Sequence, residues 1–311
     1  MSRSKEMDLT TGNPFWSLLK FAIPVILGNL FQLFYTLADS VIVGKTLGAD
    51  SLAAVGSTSI IIYFVFCFIN GFTGGFGICL GQRCGAKDEK GMRKSIAVST
   101  LLSIAFTVVL TLVCCLLAHQ ILSWMQIPED ISGEAYDYMF VVLLGTGATV
   151  FYNMISNMLR ALGDSKTPLY FLVFSSVLNI FLDILFIVPM HMGVAGAAIS
   201  TLVSRVFCAI VVLFFLRKPK QKIVLDQYHT IRPDFPLIGK ILAIGIPAGV
   251  ENGMFQFGKL AIQSTVSTLG TQAIAAQAMT VIFENVNGIA AIAVGIGLMT
   301  VVGQAFGAGR K

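Results

Sequence analysis

Asp39 and Asp183 are the residues of this 311-residue chain best placed to do chemistry, because each interrupts an apolar, bilayer-long segment close to its outer end. A carboxylate at the centre of a membrane helix costs about 2.5 to 3.5 kcal/mol on insertion scales, so intramembrane acids usually face a protein interior or cavity and mark an ion or substrate path. At 1.5 Å of rise per residue, Asp39 lies about 8 Å below an outer boundary near Gly44, and Asp183 about 8 Å below Pro189. By the same count Thr201 lies about 10 Å down, and Asn179 sits one turn below Asp183 on the same helix face. Two carboxylates, an amide and a hydroxyl are therefore expected to converge. Oxygen ligands suit a hard cation, whereas two desolvated acids side by side allow a shared proton, and the residue types leave both open. A purely structural role competes with this reading: the aspartates would cap backbone groups or pair with Arg205, and Asn179 and Thr201 would bond between helices.

The elements that must position these residues follow from composition. Hydrophobic residues make up 56% of the chain, charged residues 12%, and the mean hydropathy is +0.83, whereas a soluble domain carries about 25% charged residues. Eight apolar stretches, near 15–43, 51–82, 95–123, 135–160, 168–188, 194–216, 237–269 and 273–303, each reach the roughly 20 residues that span a bilayer as a helix. The expected fold is all-α and polytopic. The first stretch is too long for a signal-peptide core and has no small-residue cleavage site after it, so it is expected to stay in the mature protein.

The net charge of +5 reflects topology rather than a nucleic-acid partner. Arg3, Lys5, Lys20, the run Arg83 to Lys94, Arg160, Lys166, Arg217 to Lys222, Arg232, Lys240, Arg310 and Lys311 share one side of the membrane, and only Lys45 lies on the other. The positive-inside rule then places the N-terminus in the cytoplasm and the acidic link around Pro128 outside. Six cysteines without a CxxC pair and three scattered histidines offer no metal set, and no HExxH, GxSxG or P-loop pattern occurs, so an enzyme or ATPase is not expected. The run Gly71, Gly74, Gly75, Gly77, Gly81 lies inside an apolar stretch with no preceding strand. It reads as close helix packing.

An internal repeat organises the chain. Ala22–Asn29 (AIPVILGN) recurs as Gly245–Asn252 (GIPAGVEN) at an offset of 223, and Gly81–Ala86 (GQRCGA) recurs as Gly303–Ala308 (GQAFGA) at an offset of 222. The seventh and eighth stretches thus repeat the first and second. An even spacing of six helices keeps both copies in one orientation, which predicts parallel six-helix repeats about an axis along the membrane normal. Eight of an expected twelve helices would then be present: residues 1–216 as an N-terminal six-helix lobe, 217–236 as a cytoplasmic inter-lobe linker, and 237–311 as the start of a C-terminal lobe, truncated after the eighth helix.

Pro24, the L-A-D of Leu37–Asp39, Val43-Gly44, Leu47-Gly48, Gly81-Gln82 and Gly85-Ala86 before a basic loop, and R-A-L-G-D at Arg160–Asp164 together resemble the multidrug and toxic compound extrusion (MATE) transporters. The resemblance covers the whole chain. It implies a 12-helix antiporter of two lobes around a central cavity, exporting cationic amphipathic compounds in exchange for sodium ions or protons. It also implies a cation site at Asp39, Asn179, Asp183, Thr201 and the Ala197 carbonyl. A lipid-linked oligosaccharide flippase of related architecture is the alternative, disfavoured because an anionic substrate calls for several cavity arginines and Arg205 is the one arginine within a span. We expect a monomer in the cell (plasma) membrane, acting on small cationic drugs within the lipid bilayer, with no nucleic-acid partner and no cofactor beyond the coupling ion.

Other polar residues suggest secondary roles. Pro24 removes a backbone donor within the first span, permitting a kink that gates access to Asp39. Asn153 and Asn157, at i and i+4, and Glu251, which replaces Gly28 of the repeat, are candidates for the substrate cavity. Lys259 and Glu284 fall at similar depths and are candidates to pair. Phe64, Phe66, Phe68, Tyr63, Tyr152, Met154 and Met158 could line a promiscuous cavity, with lipid-facing packing the simpler reading.

Overall fold

A computed structural model describes residues 13–125, 129–216, 234–267 and 271–309. Among these residues the chain forms nine α-helices: α1 (Pro14–Thr46), α2 (Ala49–Gly85), α3 (Glu89–Trp124), α4 (Glu129–Leu144), α5 (Thr146–Ala161), α6 (Lys166–Ile187), α7 (Gly193–Leu216), α8 (Phe235–Ser267) and α9 (Thr271–Gly307). Local chemistry sets several ends. Asn13 caps α1 by accepting from the Phe15 amide at 3.0 Å, ahead of a proline at the first helical turn. Asp88 caps α3 through the Gly91 amide at 2.9 Å.

Six of these helices, α1, α2, α3, α6, α7 and α9, are long and apolar enough to cross a membrane, and α4 with α5 makes a seventh bent by 43°. The stretch 135–160, expected as one membrane helix, is a bent pair of helices. At Gly145 the ladder breaks, and its amide is shared between the Val141 and Val142 carbonyls at 3.2 and 3.1 Å. Helix α7 packs closely at this bend, where a Cβ on Gly145 would stand 2.7 Å from Leu202. Helix α8, at 33 residues, has the length of a span and carries Lys240, Glu251 and Lys259.

Of the expected linker, residues 217–233 lie outside the described residues, and α8 begins at Phe235, inside the segment expected to be linker. Asp234 starts it by accepting from the Leu237 amide at 3.4 Å while pairing with Lys94 at 2.6 Å. The Lys94 ammonium, donating to it, holds the Asp234 carboxyl below the usual carboxylate range.

Helix α1 packs on α6 and α9, α2 on α8, α5, α9 and α4, and α6 on α7. Two large apolar clusters fill the interior of the first six spans and the start of α8. One joins Val43, Ala54, Met139, Leu143 and Ala197, and the other joins Phe72, Phe76, Leu80, Met158 and Ile241. Large apolar side chains such as Phe34, Leu116, Phe181 and Phe214 point outward, as a lipid-facing surface requires.

The repeat is visible as reciprocal contacts. A Cβ on Gly85 would fall on the Gln304 carbonyl oxygen, and a Cβ on Gly307 would fall on the Gln82 carbonyl oxygen. Shifting by 222 residues exchanges one contact for the other, which is the signature of a twofold axis between α2 and α9. A second pair of contacts, Gly75 against Ile241 and Gly297 against Leu18, exchanges at the offsets of 222 and 223. Within the run of glycines in α2, Gly71, Gly75 and Gly77 are packing positions, whereas Gly74 faces open space: a Cβ on Gly71 would lie 2.5 Å from the Ala248 oxygen, and one on Gly245 2.7 Å from the Phe72 oxygen. Backbones approach this closely only where side chains are missing.

Candidate functional site

The R-A-L-G-D motif positions α6, which carries half of the expected site. Gly163 at φ 89 takes the left-handed conformation that closes α5. Its amide donates to Arg160 at 2.8 Å and the Asp164 amide to Leu159 at 2.9 Å, the paired bonds of a Schellman stop. Asp164 Oδ1 then accepts from the Lys166 and Thr167 amides at 3.1 and 3.0 Å, which opens α6. Two turns of irregular backbone thus set the rotation of α6, and with it the direction of Asn179 and Asp183.

Both of those residues are buried, at 3% and 0% exposure. Helix α7 lies against them. Ser200 Oγ donates to Asp183 Oδ1, and the same hydroxyl faces the Ala197 carbonyl at 2.8 Å. A hydroxyl has one proton, so when Ser200 gives it to Asp183 the Ala197 oxygen keeps its lone pairs. Asn179 Nδ2 is 3.4 Å from both Ser200 Oγ and Thr201 Oγ1. From α1, Asp39 brings its carboxyl into direct interaction with that of Asp183. Every expected member, Asp39, Asn179, Asp183, Ala197 and Thr201, therefore meets in one cluster. Ser200 joins them unforeseen, and so does Tyr138 of α4, buried beside Asp39, Asp183, Tyr35 and Arg205.

Three oxygens in this cluster, Asp39 Oδ1, Asn179 Oδ1 and Asp183 Oδ2, are buried with no hydrogen-bond donor. A native structure seldom leaves one such acceptor unsatisfied, and here three belong to one side-chain cluster. Two carboxylates in contact at low dielectric also repel unless a cation or a shared proton lies between them. The donor set is all oxygen, which suits a hard monovalent cation and offers no thiolate or imidazole for a transition metal.

The remaining candidates distribute differently. Arg205 does not pair with either aspartate: its guanidinium donates to Thr149 Oγ1 at 2.7 Å and lies 4.5 Å over the Phe66 ring. Pro24 is buried in α1, which stays helical through it. Asn157 donates to Thr73 Oγ1 at 3.1 Å and faces a narrow cleft with Arg160 and Thr300, between α2, α5 and α9. Asn153 is half-buried one turn earlier, and Glu251 is exposed on α8 outside the aspartate cluster. Met154 and Met158 are core residues rather than cavity lining, and Met154 accepts from Ser103 at 3.1 Å. Tyr152 likewise spends its hydroxyl on the Pro168 carbonyl at 3.2 Å. Lys259 and Glu284 do pair, at 2.7 Å.

Known proteins share this architecture. The family model described as MatE matches twice, over residues 24–185 and 247–311, so each match begins at the proline of one repeat copy. The probable multidrug resistance protein YpnP of Bacillus subtilis is 33% identical over 308 residues, covering 99% of this chain and 68% of that protein. The probable multidrug resistance protein YoeA of the same organism is 28% identical over 298 residues, covering 94% of this chain and 64% of its own length. The chain thus spans about two thirds of the length of these relatives. A solved outward-facing multidrug resistance MATE family transporter of the MOP superfamily superposes with a TM-score of 0.92 at 25% identity, over 100% of this chain and 69% of that one. The double match, the one-third identity along nearly the full sequence and the shared fold lead to one conclusion: this chain is a member of the MatE family, the multidrug and toxic compound extrusion transporters of the membrane.

Proposed function

We propose that this protein carries out secondary active multidrug efflux, exporting cationic amphipathic compounds in exchange for sodium ions or protons by alternating access. One observation carries the reading: Asp39, Asn179 and Asp183 bring three donorless buried oxygens together beside Ser200, Thr201 and the Ala197 carbonyl. Such a cluster is stable with a cation or shared proton in it and unstable without, so occupancy and helix arrangement are linked. Because Asp39 belongs to α1 and Asp183 to α6, entry of the ion draws α1 onto α6, and its release lets α1 move away. The coupling ion is cargo, and the protein's part is to hold it, exclude water and return it to the other side. The names of the curated relatives support drug export as the driven step. The wider arrangement we propose is a monomer in the plasma membrane with a cytoplasmic N-terminus, residues 1–216 forming one lobe and residues from 237 onward beginning a second.

The test uses membrane vesicles carrying the protein, with ethidium export followed under an imposed sodium or proton gradient. Asp39→Asn and Asp183→Asn keep the shape of the site and remove its charge. Each should insert normally and lose coupled export by about tenfold or more, equivalent to at least about 1.4 kcal/mol of coupling. Wild-type export from both variants would leave the aspartates as structural bonds. The gradient that drives wild-type export identifies the ion.

A further inference from the structure

Lys259 of α8 and Glu284 of α9 form an ion pair of 2.7 Å with side chains still 38% and 49% exposed. Charges inside a span are costly and usually serve a pathway. The ammonium is also held by an aromatic face: Lys259 Nζ lies 5.1 Å from the centre of the Phe255 ring, one turn earlier on α8. Cys67 of α2 lies within its electrostatic reach and interacts in turn with Tyr63 and with Gln256 of α8. A carboxylate on one side and an aromatic ring on the other make a receptor for an organic cation, and here the cation in it is covalently attached to the protein.

The repeat gives this arrangement its meaning. Shifting Lys259 back by 223 residues lands on Thr36, one helical turn before Asp39 and Ser40. The first copy thus carries Asp39 close to this position, where it meets Asp183 of α6, and the second carries Lys259, which meets Glu284 of α9. We propose that Glu284 and Phe255 form a binding subsite for aromatic monocations and that Lys259 is its built-in competitor, displaced when such a cation enters. The proposal rests on the export of organic cations put forward above. It makes Lys259 a specificity-determining residue: weakly bound or neutral compounds fail to displace it, whereas an aromatic cation replaces both its charge and its ring contact.

Competition predicts opposite effects from the two halves of one ion pair, which a structural role does not. In the purified protein in detergent, ethidium binding is followed by fluorescence polarisation, with Nile red as a neutral control. Glu284→Gln should weaken ethidium binding about tenfold, the loss expected of one charge-assisted contact. Lys259→Met, which keeps the length and removes the competitor, should strengthen it about threefold or more. Lys259→Arg, which binds a carboxylate in two places, should weaken ethidium without touching Nile red, and it keeps the test open should the methionine variant misfold. If Lys259→Met and Glu284→Gln weaken ethidium alike, or if all three variants bind as the wild type does, the subsite is overturned while export of organic cations stands. If the unaltered protein binds no ethidium, the subsite and the organic-cation reading fall together.

Discussion

Helices α2 and α8 on one side, and α9 and α1 on the other, are the same pair of helices repeated, yet they pack differently. Along the first seam Gly71 and Gly75 face Gly245 and Gly249, and Gly253 lies under the Phe64 ring, so backbone meets backbone or ring. The second seam carries Ala22, Ile26 and Leu30 at the positions of Gly245, Gly249 and Gly253, and Ala293 at that of Gly71. Of its glycines, Gly297 faces side chains, with a Cβ there 2.6 Å from the tip of Leu18 and 3.5 Å from the Phe21 ring. Side chains hold the second seam apart, and side chains can change rotamer where backbones cannot. On the motion proposed above, the tight seam is the fixed frame and the loose one is where α1, with Pro24 and Asp39, shifts.

Alanine substitutions test that contrast most severely. Gly71→Ala and Gly75→Ala place a methyl group against backbone and should each cost about 1 to 3 kcal/mol, read as a lower unfolding temperature in detergent. Gly297→Ala, the repeat image of Gly75→Ala, asks only that the end of Leu18 turn aside and should cost less than about 1 kcal/mol. Equal losses from Gly75→Ala and Gly297→Ala would erase the distinction between the seams.

The prolines offer a finer test. Pro24 deprives the Lys20 carbonyl of its helical donor within the loose seam, and Pro247 does the same to Ala243 within the tight one. If α1 is the moving element, Pro24→Ala should slow coupled efflux by about three- to tenfold with the melting temperature unchanged or raised, and Pro247→Ala should leave the rate within about twofold. A larger effect from Pro247 would put the motion on the wrong helix. The smallest effect belongs to Asp234→Asn, which removes an exposed tie between α3 and the start of α8. Because the folded protein holds this carboxyl below its ordinary range, the tie contributes above the ordinary aspartate pKa and is lost as pH falls through the lowered folded value. Melting temperatures of wild type and variant should therefore differ slightly at neutral pH and converge in acid.

Much of this was legible in the sequence because a helix advances by a fixed rise. The apolar runs 168–188 and 194–216 lie within two residues of α6 and α7, and equal depth brought Asp39 and Asp183 together before any coordinates did. Rotation about the helix axis is another matter. Ser200 and Thr201 share a depth, and only the packing of α7 on α6 turns Ser200 toward Asp183. The bend at Gly145 was hidden for a similar reason. An apolar run has the same composition whether or not its ladder is continuous, and the Gly145-Thr146-Gly147 signal acquires force only when Leu202 is seen to cross there. Glu251 stood out as an unusual charge, but charge alone does not tell which face of α8 it occupies.

The reciprocal contact of Gly85 on Gln304 and Gly307 on Gln82 has a consequence for ancestry. A surface that meets its own image across a twofold axis is self-complementary. A half-length chain ending its second helix in G-Q-x-x-G carries one complete copy of it, and two such chains side by side make both contacts. Fusing them end to end preserves the interface without a single substitution. The two halves are then free to diverge, one keeping the open carboxylates around Asp39 and the other supplying Glu284 with a lysine of its own.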